Sequence, residues 1–188
     1  MIIGITGRGG TGKSILSKKI QQRYPNYIYI EVDKIIETNV MNSQKLLNSV
    51  NNYFNDKEYK IEDIIAAYFD KNEKNNLIHD FFLKEVASEI IKFIDKYDGS
   101  NFVIDWFLLH EIFDLLPLDM CIMTYASQET RTKRVRAREN TTDLTIFNKV
   151  DEAFVEVDLS QIDYIFNTEN NKDIEFNKFV KFLEKRRK

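Results

Sequence analysis

Gly7-Arg8-Gly9-Gly10-Thr11-Gly12-Lys13-Ser14 satisfies the pattern G-x-x-x-x-G-K-S/T, and its flanks suit it. Before it runs Met1-Ile2-Ile3-Gly4-Ile5-Thr6, short, apolar and rich in β-branched residues, as a buried parallel strand should be. After it, Ser14 to Arg23 carries apolar residues at Ile15, Leu16 and Ile20, a one-face helical pattern. Strand, glycine loop and helix therefore come in the order a phosphate-binding loop needs. The glycines let successive N–H groups turn inward around phosphate oxygens, and the helix start adds partial positive charge. Lys13 is placed to reach the β- and γ-phosphates and the Ser14 hydroxyl to ligate Mg²⁺. The expectation is a chain that binds a nucleoside triphosphate.

Working outward, 188 residues suit one α/β domain with a small helical insertion, enough to bury a substantial core. With 43% apolar and 30% charged residues and few Gly or Pro, the chain is globular rather than disordered. The single cysteine, Cys121, excludes an internal disulfide and lies in an apolar run, where a buried inert thiol is expected. Residue 1 opens the first strand, and no apolar run is long enough to span a bilayer. A cytoplasmic enzyme without a membrane partner is the expectation. The net charge of −3 argues against wholesale nucleic-acid binding. Basic residues gather instead at Arg131, Lys133, Arg134, Arg136 and Arg138, and in the tail Lys185 to Lys188, a solvated helix end to which no function is assigned.

Further strands are expected at Tyr27 to Val32 ending at Asp33, at Asn101 to Ile104 ending at Asp105, at Met120 to Tyr125, and at Tyr164 to Phe166. Five strands separated by helical stretches imply a parallel sheet covered on both faces. Helices are expected at Ser43 to Phe54, Ile61 to Phe69, Asn75 to Asp95, Leu109 to Leu116, Gln128 to Arg138, Leu144 to Val157 and Asp173 to Lys185. Roughly seventy residues separate strands two and three, where a crossover needs only about a dozen. That excess points to an insertion that binds the acceptor.

In open α/β sheets ligands bind beyond the carboxyl ends of strands. Asp33 and Asp105 each sit at such an end, on strands that could flank the first, so both are expected near the γ-phosphate. A carboxylate there can take a proton from an attacking hydroxyl or hold the hydration shell of Mg²⁺. Asp33 suits a helix N-cap as well as it suits a catalyst. Asp105 resembles the acidic end of a Walker B strand.

At about 100° per residue, Arg131, Arg134 and Arg138 fall within roughly 60° of one another. Guanidiniums on one stripe beside a triphosphate would stabilise charge on the transferring group. Such a stripe is often a solvated face, but the phosphate loop tips the balance to function for Arg134 and Arg138, less for Arg131. The polar run from Glu139 to Asp143 then leads into a mobile lid. Within it Asn148-Lys149-Val150-Asp151 matches N-K-x-D, the guanine-reading motif of GTPases. No D-x-x-G switch accompanies it, since outside the loop the glycines are Gly4 and Gly99 and Lys96 stands three before Gly99. These four residues are therefore expected inside an amphipathic lid helix.

With these residues in place, the chain resembles the dephospho-coenzyme A kinase family from Met1 to about Asn170. The resemblance rests on Ile3-Gly4-Ile5-Thr6-Gly7 with its loop, on Val32-Asp33-Lys34-Ile35, and on Val50 to Phe54, Ala66-Ala67-Tyr68-Phe69 and Leu77-Ile78-His79. It extends to Asp105-Trp106-Phe107-Leu108-Leu109-His110-Glu111, similar to D-x-P-L-L-x-E, and to Glu129 through Arg134 with Arg138, similar to E-x-Q-x-x-R-x-x-x-R. Asp163 to Asn167 resembles D-x-V-I-x-N. The resemblance implies phosphorylation of the ribose 3′-hydroxyl of dephospho-CoA by ATP, the last step of CoA synthesis. Asp33 would be the base and Lys13, Ser14 and Mg²⁺ the phosphate clamp. Gly9, Gly10, Thr11, Gly12 and Ile15 would complete the nucleotide cradle, Asp105 would join Ser14 at the metal, and Arg134 and Arg138 would stabilise charge. The sequence departs from the family at Ile15 (usually a hydroxyl residue), Asp80 and Phe107 (usually proline) and Arg131 (usually glutamine), and it lacks a glutamine in the lid. His79 and His110 each sit near an apolar helical face and are kept out of catalysis.

The expected fold is a three-layer P-loop NTPase, a core of residues 1–36 and 98–188, an insertion at about 37–97 and a lid at about 139–157. The expected partners are small molecules only, with the chain a monomer or small homo-oligomer. A nucleoside or nucleoside-monophosphate kinase, and a non-catalytic nucleotide-binding relative, stay open as alternatives.

Overall fold

The computed structural model describes residues 1–169 and 172–186. Five strands form one parallel sheet in the order β2-β3-β1-β4-β5, with β1 Ile2–Thr6, β2 Tyr27–Glu31, β3 Asn101–Asp105, β4 Met120–Tyr125 and β5 Tyr164–Asn167. The chain leaves β1, skips over one position to build β2, returns to fill the gap with β3, then crosses to the far side of β1. This reversal opens a crevice at the carboxyl end of β1, where the phosphate loop begins. In β3, successive side chains enter opposite faces, so Phe102 and Ile104 join one apolar cluster and Val103 the other.

The second cluster is closed by α1 (Lys13–Arg23) through Leu16 and Ile20 and by α8 (Lys172–Arg186) through Phe179 and Leu183. Opposite, α2 (Val32–Thr38), α3 (Gln44–Phe54), α4 (Ile61–Ala66) and α5 (Glu73–Lys96) pack Val32, Leu46, Val50, Ile64 and Ile90 into the same cluster as Ile104 and Trp106. Burying such a side chain contributes about 1.5–3 kcal/mol, so this face holds the insertion against the sheet. After β3 comes a 3-10 stretch, Leu109–Leu115, kinked at Ile112, where an α-helix was expected. Then follow α6 (Gln128–Glu139) and α7 (Thr145–Ala153). Helix α7 buries none of its residues, and Asn148 to Asp151 lie inside it, as helix was expected there.

Several boundaries differ from the sequence reading. Strand β2 ends at Glu31, and the N-cap of α2 is that same Glu31, so Asp33 is neither a strand end nor a cap. It occupies the first turn of α2, where a carboxylate meets the positive helix end. Of the two strands, only β3 flanks β1; β2 is the sheet edge. Helix α4 stops at Ala66 rather than Phe69, and α7 is shorter than 144–157 at both ends. Helix α5 runs unbroken through Asp80, where the family's proline would remove a backbone hydrogen bond. The described part of the basic tail ends α8, with Arg186 3.0 Å from Asp163; residues 187 and 188 lie outside the described residues.

Candidate active site

The phosphate loop joins β1 to α1. Gly7 has φ +138°, and a Cβ there would lie 2.5 Å from the Thr124 carbonyl oxygen of β4, so no larger residue fits. Gly12, left-handed at φ 97°, caps α1 without a side chain, and no acidic residue occupies the first turn. No carboxylate of the helix's own first turn therefore competes for its N-terminal amides. Inside the turn Thr11 is buried, donating to the Arg8 carbonyl at 2.8 Å and lying 2.7 Å from Thr124 Oγ1. Lys13 donates to the carbonyls of Gly7 (2.8 Å) and Arg8 (3.3 Å). Burial pulls its pKa down to about 8, against the charges of Asp105 and Asp33, which raise it. Ile15 is half exposed and its N–H is turned to the Gly12 carbonyl at 3.1 Å.

Two carboxylates approach this loop. Asp105 pairs in register with Ile5 and is buried, accepting hydrogen bonds from Tyr29 (3.1 Å) and Ser17 (3.3 Å) and a further one from Ser14. Burial raises its pKa, and the hydrogen bonds and Lys13 only partly offset that. Asp33 is open to solvent in the crevice, yet the protein around it strips enough hydration to raise its pKa. Lys13 opposes that rise; Asp105, Glu31 and Glu37 add to it. Asp33, Asp105, Lys13, Ser14, Gly9, Gly10 and Arg138 all line one cavity of about 620 Å³, walled on the α7 side by Ile146, Phe147 and Val150. A larger hollow of about 1010 Å³ follows the outer face of α6 at Gln128, Thr132 and Arg136, and no residue of the loop or of a strand end lines it.

The arginine stripe divides into three roles. Arg131 is buried and forms paired hydrogen bonds with Asp151 of α7 (2.5 and 3.0 Å), with a longer one to the Gly9 carbonyl (3.4 Å). Arg8 approaches the same carboxylate at 3.3 Å, donates to the Asp151 carbonyl at 2.7 Å and pairs with Glu156. Burial would raise the Asp151 pKa, but Arg131 and then Arg8 outweigh it and hold the carboxyl below its usual range. These bonds tie α7 down onto the loop, and the Phe147 ring lies 3.4 Å from where a Cβ on Gly9 would be. Arg134 is committed to the Gly10 carbonyl (3.2 Å) and to Thr168, at its hydroxyl (2.8 Å) and carbonyl (2.7 Å). Of the three, Arg138 alone lines the cavity; it is exposed and 2.7 Å from Glu139.

At Asp33 the cavity meets a second, apolar one of about 220 Å³, lined by Ile36, Ile64, Phe82, Trp106 and Phe107. Tyr68 and His79 line both this slot and a third cavity of about 280 Å³ that includes Glu111. Around them Tyr68 Oη, His79 Nε2, Trp106 Nε1 and Glu111 Oε1 have no hydrogen-bond partner among the described residues. Each such buried group costs roughly 1–3 kcal/mol. His110 bridges Thr6 Oγ1 and the Val155 carbonyl, 3.0 Å each, and burial lowers its pKa, consistent with a neutral structural histidine. Cys121 is half-buried, its thiol pushed up to about 11 by burial. The sequence reading missed Arg8, Tyr68, Trp106, Phe107, Glu111 and Asp151 as site residues. None carries a local signal beyond its place in a segment, because each gains its role from a residue far along the chain.

A phosphate loop at the switch point of a parallel sheet, with two carboxylates and an arginine facing it, defines a P-loop phosphotransferase. The family model described as dephospho-CoA kinase matches residues 1–171, and the chain belongs to that family. It is 24% identical over 181 residues to a dephospho-CoA kinase of Clostridium tetani, covering 89% of this chain and 78% of that one. Among solved structures it is similar to TT1252 from Thermus thermophilus (TM-score 0.71, 17% identity, 97% of this chain and 95% of that one). It is also similar to deoxyadenosine kinase from M. mycoides with bound dATP (TM-score 0.57, 16% identity, 98% and 100%). Those two likenesses show the shared fold. No helix among the described residues is long and apolar enough to cross a membrane.

Proposed function

We propose that this chain transfers the γ-phosphoryl group of ATP to the ribose 3′-hydroxyl of dephospho-CoA. The observation that carries the reading is the cavity in which Lys13, Ser14, Asp105, Arg138 and Asp33 face one another, continuing past Asp33 into an apolar slot. The triphosphate lies along the loop amides and the α1 N-terminus, with the Lys13 ammonium on its terminal oxygens. Asp33, across the cavity, accepts the proton of the attacking hydroxyl, and its raised pKa suits a base that must take up and return a proton. Arg138 meets the charge spreading over the transferring group, while Arg134 braces the loop from behind through Gly10. The insertion supplies the acceptor side. The lid, held by Asp151, keeps water from the γ-phosphate, which would otherwise be hydrolysed.

The donor set suits Mg²⁺. The Ser14 hydroxyl and Asp105 carboxylate are hard oxygens, and Mg²⁺ is commonly held by one or two such groups together with phosphate oxygens and water. When bound there it would neutralise charge between the β- and γ-phosphates. A panel assay tests the whole reading: Mg-ATP with dephospho-CoA, nucleosides, nucleoside monophosphates or no acceptor, following ADP. Release with dephospho-CoA is the expected result. Release only with a nucleoside or monophosphate moves the assignment to that class of kinase, and ATP binding with no acceptor-dependent release makes the chain a non-catalytic relative.

A further inference from the structure

Tyr29 stands outside every segment that carries the family resemblance, yet its side chain ends at the Asp105 carboxylate. In the parallel pairing of β2 with β3 it lies opposite Val103, and Val103 and Asp105 share one face of the sheet. The phenol reaches one step along that face and donates to Asp105 Oδ2 at 3.1 Å. From α1, Ser17 donates to the same oxygen at 3.3 Å. The Ser14 hydroxyl is hydrogen-bonded to both the phenol and the carboxylate. Asp105 is only 4% exposed and Ser17 is fully buried, so protein donors rather than solvent set the orientation of this carboxylate. Tyr29 and Ser17 both use Oδ2, which leaves Oδ1 free of either. Asp105 and Ser14 line the cavity at the phosphate loop, whereas Tyr29 and Ser17 do not. Whatever these two donors do for the site, they do through Asp105 and Ser14.

We infer that Tyr29, assisted by Ser17, is a positioning residue for the metal ion: it fixes the Asp105 carboxylate beside Ser14 and leaves one carboxylate oxygen for the ion. The inference rests on the proposed placement of Mg²⁺ at Ser14 and Asp105. Mg²⁺ demands near-ideal octahedral geometry, so a carboxylate free to rotate would hold it less well. Hydrogen-bond partners behind a metal ligand are worth about ten- to a hundredfold in metal affinity.

The test is how far Mg²⁺ tightens binding of the non-hydrolysable ATP analogue AMP-PNP. Calorimetry gives the ratio of its Kd without and with the metal, in wild type, Y29F, S17A and Y27F. Tyr27 precedes Tyr29 on the same strand, but its hydroxyl lies 3.1 Å from Met1 Sδ, so Y27F controls for loss of a phenol from β2. Y29F should cut the Mg²⁺ effect by about tenfold and leave the metal-free Kd within about twofold. Y27F should leave both within about twofold of wild type. The Mg²⁺ concentration giving half-maximal ADP release with dephospho-CoA should rise about tenfold in Y29F. S17A removes the second donor, should shift the Mg²⁺ effect in the same direction, and carries the test if Y29F fails to fold. An unchanged Mg²⁺ effect in Y29F, or in S17A should Y29F not fold, overturns the inference while leaving the kinase reading intact. Equal losses in Y29F and Y27F overturn it as well, since the phenol would then only support the strand. Absence of any Mg²⁺ effect in wild type overturns the metal placement and the inference with it. The calorimetric measurement needs no acceptor, so its outcome is independent of the panel assay above.

Discussion

The phosphate loop and the wall opposite it face each other across one cavity, but they are built in opposite ways. The loop is local: a short run of consecutive residues folds into a cradle whose chemistry is main-chain amides, one lysine and one hydroxyl. The opposite wall and the cavities beyond it draw Asp33 from α2, Tyr68 from beyond α4, His79 from α5, Trp106, Phe107 and Glu111 from after β3, and Arg138 from α6. Helix α7 is intermediate, since it is fixed by a single carboxylate shared between Arg8 and Arg131. A local device survives change elsewhere in the chain. An assembled one can be retuned residue by residue.

That contrast is exposed by substitution. Lys13→Ala should have the largest effect, a loss of roughly a hundred- to a thousandfold in kcat, the size seen when one preorganised charge-stabilising donor is removed. Near-normal ADP production would show that the loop binds without working on the γ-phosphate. Asp33→Asn should lower kcat by at least about a hundredfold and change ATP affinity little, as expected for loss of a general base; a rise in ATP KM with kcat preserved would remove Asp33 from proton transfer. Arg138→Ala should cost about ten- to a hundredfold in kcat, the worth of a charge-assisted hydrogen bond. Arg134→Ala should instead lower thermal stability, because its partners are Gly10 and Thr168.

Asp151→Asn strips two guanidiniums of their carboxylate. It should destabilise by about 3 kcal/mol, the lower end for breaking a buried pair, and raise acceptor-independent ATP hydrolysis as the lid loosens. Because the Asp151 pKa is depressed in the folded chain, its contribution is present above the ordinary value of 3.8 and fades as pH falls through the depressed one. The melting temperatures of variant and wild type should therefore converge in strong acid; a gap unchanged there would mean that packing, not charge, holds the lid. The smallest effect is in the pH profile of kcat/KM. Its acid limb should lie above pH 3.8 because Asp33 is raised, and its alkaline limb near pH 8, where Lys13 loses its proton. Lys13→Arg should abolish the alkaline limb even if it lowers the rate.

Legibility followed the same division. Five strands and most helices were readable because apolar periodicity is a short-range signal, and Asn148 to Asp151 were read as helix despite the misleading N-K-V-D run. Asp33 was singled out, but its setting was misplaced. An isoleucine–glutamate–valine run continues equally well as strand or helix, and the packing of Val32 into the core decided for helix at Glu31. Arg131, Arg134 and Arg138 were rightly set on one stripe, yet spacing cannot say which guanidinium finds a carboxylate, a carbonyl or open solvent. Arg131 in place of glutamine makes sense only beside Asp151, twenty residues on.

Residues 1 to 23 alone were enough to establish a triphosphate cradle, because strand, glycine turn and helix start are set by backbone sterics and neighbouring amides. Where Asp33 sits, which arginine lines the cavity and how the apolar slot adjoins it were decided by the folded chain. Those properties depend on burial and on distances between residues dozens of positions apart, and only the closing of the sheet and the packing of the insertion against it fix them.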